Sequence, residues 1–285
     1  MRQTTKKKQQ GCAFPLILLA IIFILFLGYC KFAGGWGLAE SIASNMPSEI
    51  SSLEGTYEEK LQILSRNIPQ AKQILKNIEE YPDEILDLLL RNPETKDFVL
   101  DYPKNKNGTT SKPNISKECK KGHIPHFLQW DKRWGYDSYG SSNIAISGCG
   151  PTCMSMVYTA LTGNQDYDPK TMAEFSNKNG YYITGSGTSW NFMTGGAKRL
   201  GLIARELSLS ANGMKSELSQ GHYIIASLGP GDFTTSGHFI VIYDTDRNGN
   251  FRVLDPNSNT NTKKTWSYEK LSGQILNMWS YSAEG

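Results

Sequence analysis

The chain has 285 residues, 39% hydrophobic and 11% aromatic, and a formal net charge of +3. That is enough apolar material for a sizeable core and too small a charge for nucleic acid to be the main partner. No glycine-rich phosphate or dinucleotide motif is present, and the length suits one globular domain of about 100–200 residues with accessory segments.

Residues 1–10 read as a basic tail carrying Arg2, Lys6, Lys7 and Lys8. The run GCAFPLILLAIIFILFLGYC, Gly11 to Cys30, has no charged residue and matches the roughly 20 residues a helix needs to cross a bilayer. Only Lys31 lies just beyond it, so the basic excess predicts a single-pass anchor with its N-terminus cytoplasmic and the rest of the chain outside. A cleaved signal peptide would have a shorter apolar core and an A-x-A site. A lipoprotein signal ending at Cys30 fits poorly with the large Tyr29 before it.

Over 37–102, Leu61, Ile63, Leu64, Ile68, Ile74, Leu75 and Ile78 recur at helical spacing, and Pro69, Pro82 and Pro93 divide the run into short helices. With Glu, Lys, Asn and Gln between them, this reads as a solvated helical stalk or small bundle, a spacer above the membrane rather than a partner-binding module. Residues 103–122 are rich in Lys, Asn, Ser, Thr and Pro with almost nothing apolar, which reads as a linker.

From 123 to 285 the pattern is α+β. A helix is predicted over Pro151–Leu161 with Gly163 as its stop, and another over Thr188–Leu200 before Gly201. HYIIASL, HFIVIYD and FRVLD follow, short Ile-, Val-, Tyr- and Phe-rich runs bounded by Gly, Pro and Asn, which predict antiparallel strands.

Five cysteines sit at 12, 30, 119, 149 and 153, an odd number that cannot make a dense disulfide framework. In SGCGPTC, Pro151 is suited to a first helical turn and places Cys149 at the helix N-terminus, where unpaired N–H groups and the dipole favour a thiolate. Cys153, one turn on, falls on the face expected to be buried. The four histidines offer no paired spacing for zinc beyond the short HIPH, so no metal and no cofactor is expected.

A thiolate needs a base, and His222 and His238 both open strands. Pairing Tyr243 with Asn250 across a hairpin sets Phe239 opposite Leu254 and His238 beside Asp255; His222 has no comparable carboxylate in the sequence. The loop Asp244–Asp255 also matches most of a calcium-binding template, but its flanks look like strands, and Asn-Gly between apolar runs is the ordinary hairpin signal. Gln129 is a candidate oxyanion donor beside the backbone N–H at the helix start, though spacing alone does not single it out.

These residues resemble a family. HFLQWDKRWGYDSYGSSNIAISGCGPTCMSMV, GHFIVIYD and VLDPN are similar to the papain-like cysteine peptidases of the bacteriocin-leader (double-glycine) type, in their stand-alone form outside transporters, over about residues 123–282. The resemblance implies a papain-like α+β domain with Cys149 as nucleophile, His238 as general acid and base, Asp255 as orienting group and Gln129 as oxyanion donor. It also implies a peptide or protein substrate. Trp190 and the loop Gly229-Pro230-Gly231 are candidate walls of the cleft. The expectation is therefore a membrane-anchored extracytoplasmic cysteine peptidase; the rivals are a hydrolase of peptidoglycan stem peptides and a non-catalytic binding module.

Overall fold

The computed structural model describes residues 50–283, and from Ile50 onward the chain forms one compact unit. The expected basic tail, the anchor over 11–30 and the first residues of the expected stalk lie outside the described residues. Among the described residues no helix is long and apolar enough to cross a membrane.

The proline punctuation holds. Helix α1 (Tyr57–Leu64) starts at a capping box in which Thr56 Oγ1 accepts from the Glu59 N–H and Glu59 Oε2 accepts from the Thr56 N–H. Pro69 opens α2 (Pro69–Leu75), Pro82 precedes α3 (Asp83–Arg91), and the turn begun by Pro93 leads into α4 (Lys96–Leu100). Helices this short are marginal in water and must bury their apolar faces. Leu61, Ile74, Ile85, Leu89, Phe98 and Val99 do so in one cluster that also takes in Tyr136 and Ala145 from the later part of the chain. Phe98 stacks on Tyr136 with ring centroids 4.2 Å apart, and the Tyr136 hydroxyl donates to the Phe98 carbonyl at 2.9 Å. The segment expected to be a stalk is thus not set apart; its core is shared.

The stretch read as a linker is tied down as well. Thr109 donates to Asp137 through its backbone N–H at 3.0 Å and its hydroxyl at 2.8 Å, and Lys170 pairs with the same carboxylate at 2.8 Å. Ile115, the apolar residue in a polar run, is fully buried in the main core.

The later part is built on a six-stranded sheet whose neighbouring strands are all antiparallel. Its strands are β1 (Leu202–Glu206), β2 (Tyr223–Leu228), β3 (His238–Thr245), β4 (Phe251–Leu254), β5 (Thr265–Trp266) and β6 (Ile275–Ala283), in the order β1-β6-β2-β3-β4-β5. Alternate residues serve two cores. Ile225, Phe239, Val241 and Trp279 pack with helix α5 (Cys149–Thr162) and helix α6 (Pro169–Lys178), while Ile224, Ile240, Ile242 and Val253 pack with Met214 and Leu271. Burial on both faces explains why the strands read as continuous apolar runs rather than alternating ones.

Helix α5 is buried on nearly every side and stops, as expected, at Gly163 in the left-handed conformation, whose N–H reaches Thr159 O at 2.9 Å. It begins at Cys149, two residues before Pro151, with Gly148 in the capping position and Pro151 in the first turn as expected. The helix expected over Thr188–Leu200 is present but starts later: Gly187–Thr188 is a strand end, and the helical stretch is a π-helix over Phe192–Gly196 that continues into the α-helix Ala197–Arg199.

Candidate active site

Cys149 is the first residue of α5, half-buried, with the unpaired N–H groups of the first turn around it. The helix can start there because two glycines allow close approach. A Cβ on Gly148 would lie 2.5 Å from Ile144 O, and one on Gly150 would lie 2.6 Å from Thr188 Oγ1. Cys153 is fully buried, and its thiol donates to Phe239 O at 3.4 Å. Burial pushes that thiol well above the usual cysteine value, which suits a packing residue. Cys119, Cys149 and Cys153 are all free thiols.

His238 opens β3, and its Nε2 donates to Asp255 Oδ1 at 2.8 Å. The pairing that brings them together is not the one read from the sequence. Leu254 faces Val241 rather than Phe239, the register shifts between Ile242 and Asp244, and the hairpin closes with Thr245 opposite Phe251. Asp246 fills the turn with its own bonds, its carboxylate accepting from the N–H groups of Asn248 and Asn250. Among the described residues no group of His, Cys, Asp or Glu side chains is arranged to hold a metal.

With Nε2 committed to Asp255, Nδ1 is the ring atom left for the Cys149 sulfur, whose charge also acts on this imidazole. Burial works against a charge on His238. The Asp255 carboxylate outweighs it and, with the contact to Cys149, raises the His238 pKa from the ordinary imidazole value to about 10.

Asp255 is braced from every side. Its Oδ1 also accepts from the Asn257 N–H at 2.8 Å, and its Oδ2 accepts from Asn261 Nδ2 at 2.8 Å. Its N–H donates to Thr262 Oγ1, and its carbonyl accepts from His126 Nε2 at 2.8 Å. Burial holds His126 below the usual histidine value, so this ring acts as a neutral donor. His126, Asn257 and Asn261 did not emerge from the sequence as site residues; the signal available was the polar density of DPNSNTN immediately after Asp255.

Gln129 is buried. Its backbone N–H donates to Pro256 O at 2.7 Å, and its Nε2 donates to Ala145 O at 2.7 Å, on the turn Ile144–Ser147 that runs into Cys149. Its Nε2 also donates to Ile146 O at 3.5 Å, so Gln129 joins the nucleophile's segment to the Asp255 loop.

His222 does have a carboxylate partner, contrary to expectation: its Nδ1 lies 2.7 Å from Glu217 Oε2. It precedes the far end of β2, whereas the near end, Leu228, pairs with His238. At about 3.3 Å per residue, that strand separates His222 from the Cys149 region. Trp190 is 43% exposed, and its Nε1 donates to Ser227 Oγ at 3.0 Å. Ser227 and Leu228 pair with Phe239 and His238, so Trp190 and the loop after Leu228 both adjoin the start of β3.

A cysteine heading a buried helix, faced by a histidine and aspartate carried on an antiparallel sheet, is the layout of a cysteine peptidase domain. A profile described as the Peptidase_C39 like family matches residues 122–284, more than half of the chain, and the chain belongs to that family. At family level this makes it a cysteine peptidase and so a hydrolase. Residues 50–121 lie outside the matched span. No curated protein matches the chain.

Proposed function

We propose that the protein is a membrane-anchored, extracytoplasmic cysteine peptidase that cleaves peptide bonds through Cys149, His238, Asp255 and Gln129. The observation that carries the reading is the single buried His238 ring, bonded at Nε2 to Asp255 and near enough to Cys149 at the start of α5 for the two to act on each other's charge. The Cys149 thiolate attacks the scissile carbonyl, and Gln129 Nε2 with the Cys149 N–H stabilises the oxyanion. Protonated His238 then gives its proton to the leaving amine, leaving a thioester on Cys149. Water, deprotonated by the now neutral His238, attacks that thioester and releases the acid; the proton gained restores the imidazolium–thiolate pair. Asp255 holds the ring and its charge throughout. The uncharged run Gly11–Cys30, preceded by four basic residues, supports the anchor and the outward placement of the domain.

The test uses full-length protein in detergent, incubated separately with peptide libraries and with purified peptidoglycan. Cleavage of peptides that disappears in Cys149→Ala supports the reading. Cleavage that survives the substitution removes it, and release of stem peptides alone would move the substrate to the cell wall. Protease accessibility of the domain in intact cells tests the orientation.

A further inference from the structure

The carboxylate of Asp255 is held by Asn257 and by Asn261 of the one-turn helix Asn259–Thr262, and both are held in turn by the N-terminal helical segment. On one arm, Glu94 accepts from the Ser258 hydroxyl at 2.9 Å, the Asn259 N–H at 2.9 Å and the Thr260 N–H at 3.0 Å. Ser258 Oγ accepts from the Asn261 N–H at 3.1 Å, and Asn261 Nδ2 donates to Asp255 Oδ2. On the other arm, Asn92 Nδ2 donates to the Asn257 carbonyl, as does Trp130 Nε1, while the Asn257 N–H donates to Asp255 Oδ1. Each carboxylate oxygen is therefore fixed through a chain of bonds that ends on the turn between α3 and α4, outside the span that matches the peptidase family.

Burial would raise the Glu94 carboxyl, but the hydrogen bonds from Thr260, Ser258 and Asn259 outweigh it and keep Glu94 below the usual carboxylate range. A charged Glu94 gathering three donors from the start of the one-turn helix Asn259–Thr262 and its cap Ser258 is a strong clamp, since hydrogen bonds to charged groups are worth roughly twice neutral ones. A spacer would have no reason to carry it.

We propose that Glu94 and Asn92 are positioning residues for the Asp255–His238 pair, so that the N-terminal helices are a working part of the active site. This rests on the catalytic reading of Cys149, His238 and Asp255. Without Glu94 the Ser258–Asn261 turn loosens, Asp255 loses the bond at Oδ2, and its charge no longer stays against His238. The imidazolium is then less favoured, and Cys149 loses the partner that makes it reactive.

The experiment needs no substrate. Full-length protein carrying Glu94→Ala, Glu94→Gln, Asn92→Ala or Asp255→Ala is treated with iodoacetamide across a pH series, and alkylation of Cys149 is followed by mass spectrometry with Cys119 as internal control. Thermal unfolding of each variant fixes the folded fraction. Glu94→Ala is expected to slow Cys149 alkylation near pH 6 by about tenfold or more, within the roughly hundredfold that a misplacement on the order of 1 Å costs. Glu94→Gln, which keeps the shape and one acceptor oxygen, falls between it and the parent, and Cys119 is unchanged. If the Glu94 and Asn92 variants stay within about twofold of the parent while Asp255→Ala slows the reaction, the positioning role is wrong and the catalytic reading stands. If Asp255→Ala is also without effect, the catalytic reading fails and takes the positioning role with it.

Discussion

The His238 ring and the Asp255 carboxylate meet at 2.8 Å in a buried setting, with His238 8% and Asp255 1% exposed. There the carboxylate's charge reaches the ring with little screening and lifts it against the pull of burial to about 10. Asp255→Asn removes that charge while leaving an acceptor for Nε2–H. Burial is then the larger influence, and the His238 pKa falls. The alkaline limb of the kcat/KM profile, which reports the protonated acid in the free enzyme, is expected to move to lower pH. The rate at neutral pH drops by less than the roughly 10²–10⁴ contributed by a general acid–base group, because the amide still orients the ring. Profiles of parent and variant check this, and an unmoved limb would mean that Asp255 does not set the charge on His238.

The same elevation ties folding to pH. In the unfolded chain the ring titrates at about 6.5, in the folded protein at about 10, so folding binds a proton between those values. The stabilisation is therefore fully present below about pH 6.5 and lost as pH rises toward 10. Urea unfolding of the parent and of His238→Gln should show a stability difference that is largest near pH 6 and shrinks steadily above it. Other titrating groups largely cancel in that difference. A gap independent of pH over this range would show that the ring is neutral in the folded state.

The strands and the central helix were legible because each rests on a local pattern, whereas His238 and Asp255 were put side by side through a register the structure corrects. Pro151 marks a helix start, Gly163 a stop, and Asn-Gly a hairpin. The errors arose where local pattern does not determine geometry. The hairpin closed two residues nearer its tip, with a shift after Ile242, yet His238 and Asp255 still met, because side chains at strand ends reach across such a slip. The bonds from Glu94 to Ser258, Asn259 and Thr260 span 164 to 166 residues. A charged helical segment looks like a solvated stalk until its partner across the fold is known.

Gly150 tests how tightly the nucleophile's helix is seated. Its missing side chain leaves room for Thr188, whose Oγ1 and Cβ would lie 2.6 Å and 2.7 Å from a new Cβ, and whose hydroxyl is already bonded to Tyr139 at 2.9 Å. Gly150→Ala should push the start of α5 away from the Gly187–Thr188 strand, at a cost of about 1–3 kcal/mol for overpacking. Cys149 moves with it, so activity should fall more than stability alone accounts for. Thr188→Gly, added to Gly150→Ala, removes the clash and should recover part of both losses, which a double-mutant cycle in stability and kcat/KM would read. Simple additivity would place the effect elsewhere.

Phe98 gives the corresponding test for the N-terminal helices. It is 2% exposed, stacked on Tyr136, and packed where a side chain on Gly135 would meet it at 2.7 Å. Phe98→Ala leaves a cavity between α4 and the segment leading to the site, and burial of this kind is worth about 3–5 kcal/mol. Trp134 and Trp279, both buried in the family-matched span, report unfolding of that span by fluorescence. If the helices and the peptidase region share one cooperative core, the urea midpoint seen by these tryptophans falls with Phe98→Ala, in a single transition that circular dichroism of the helices reproduces. A tryptophan midpoint that stays fixed while helical signal is lost earlier would mean the helices are an independent unit, and the clamp from Glu94 would then hold Asp255 only when they are docked.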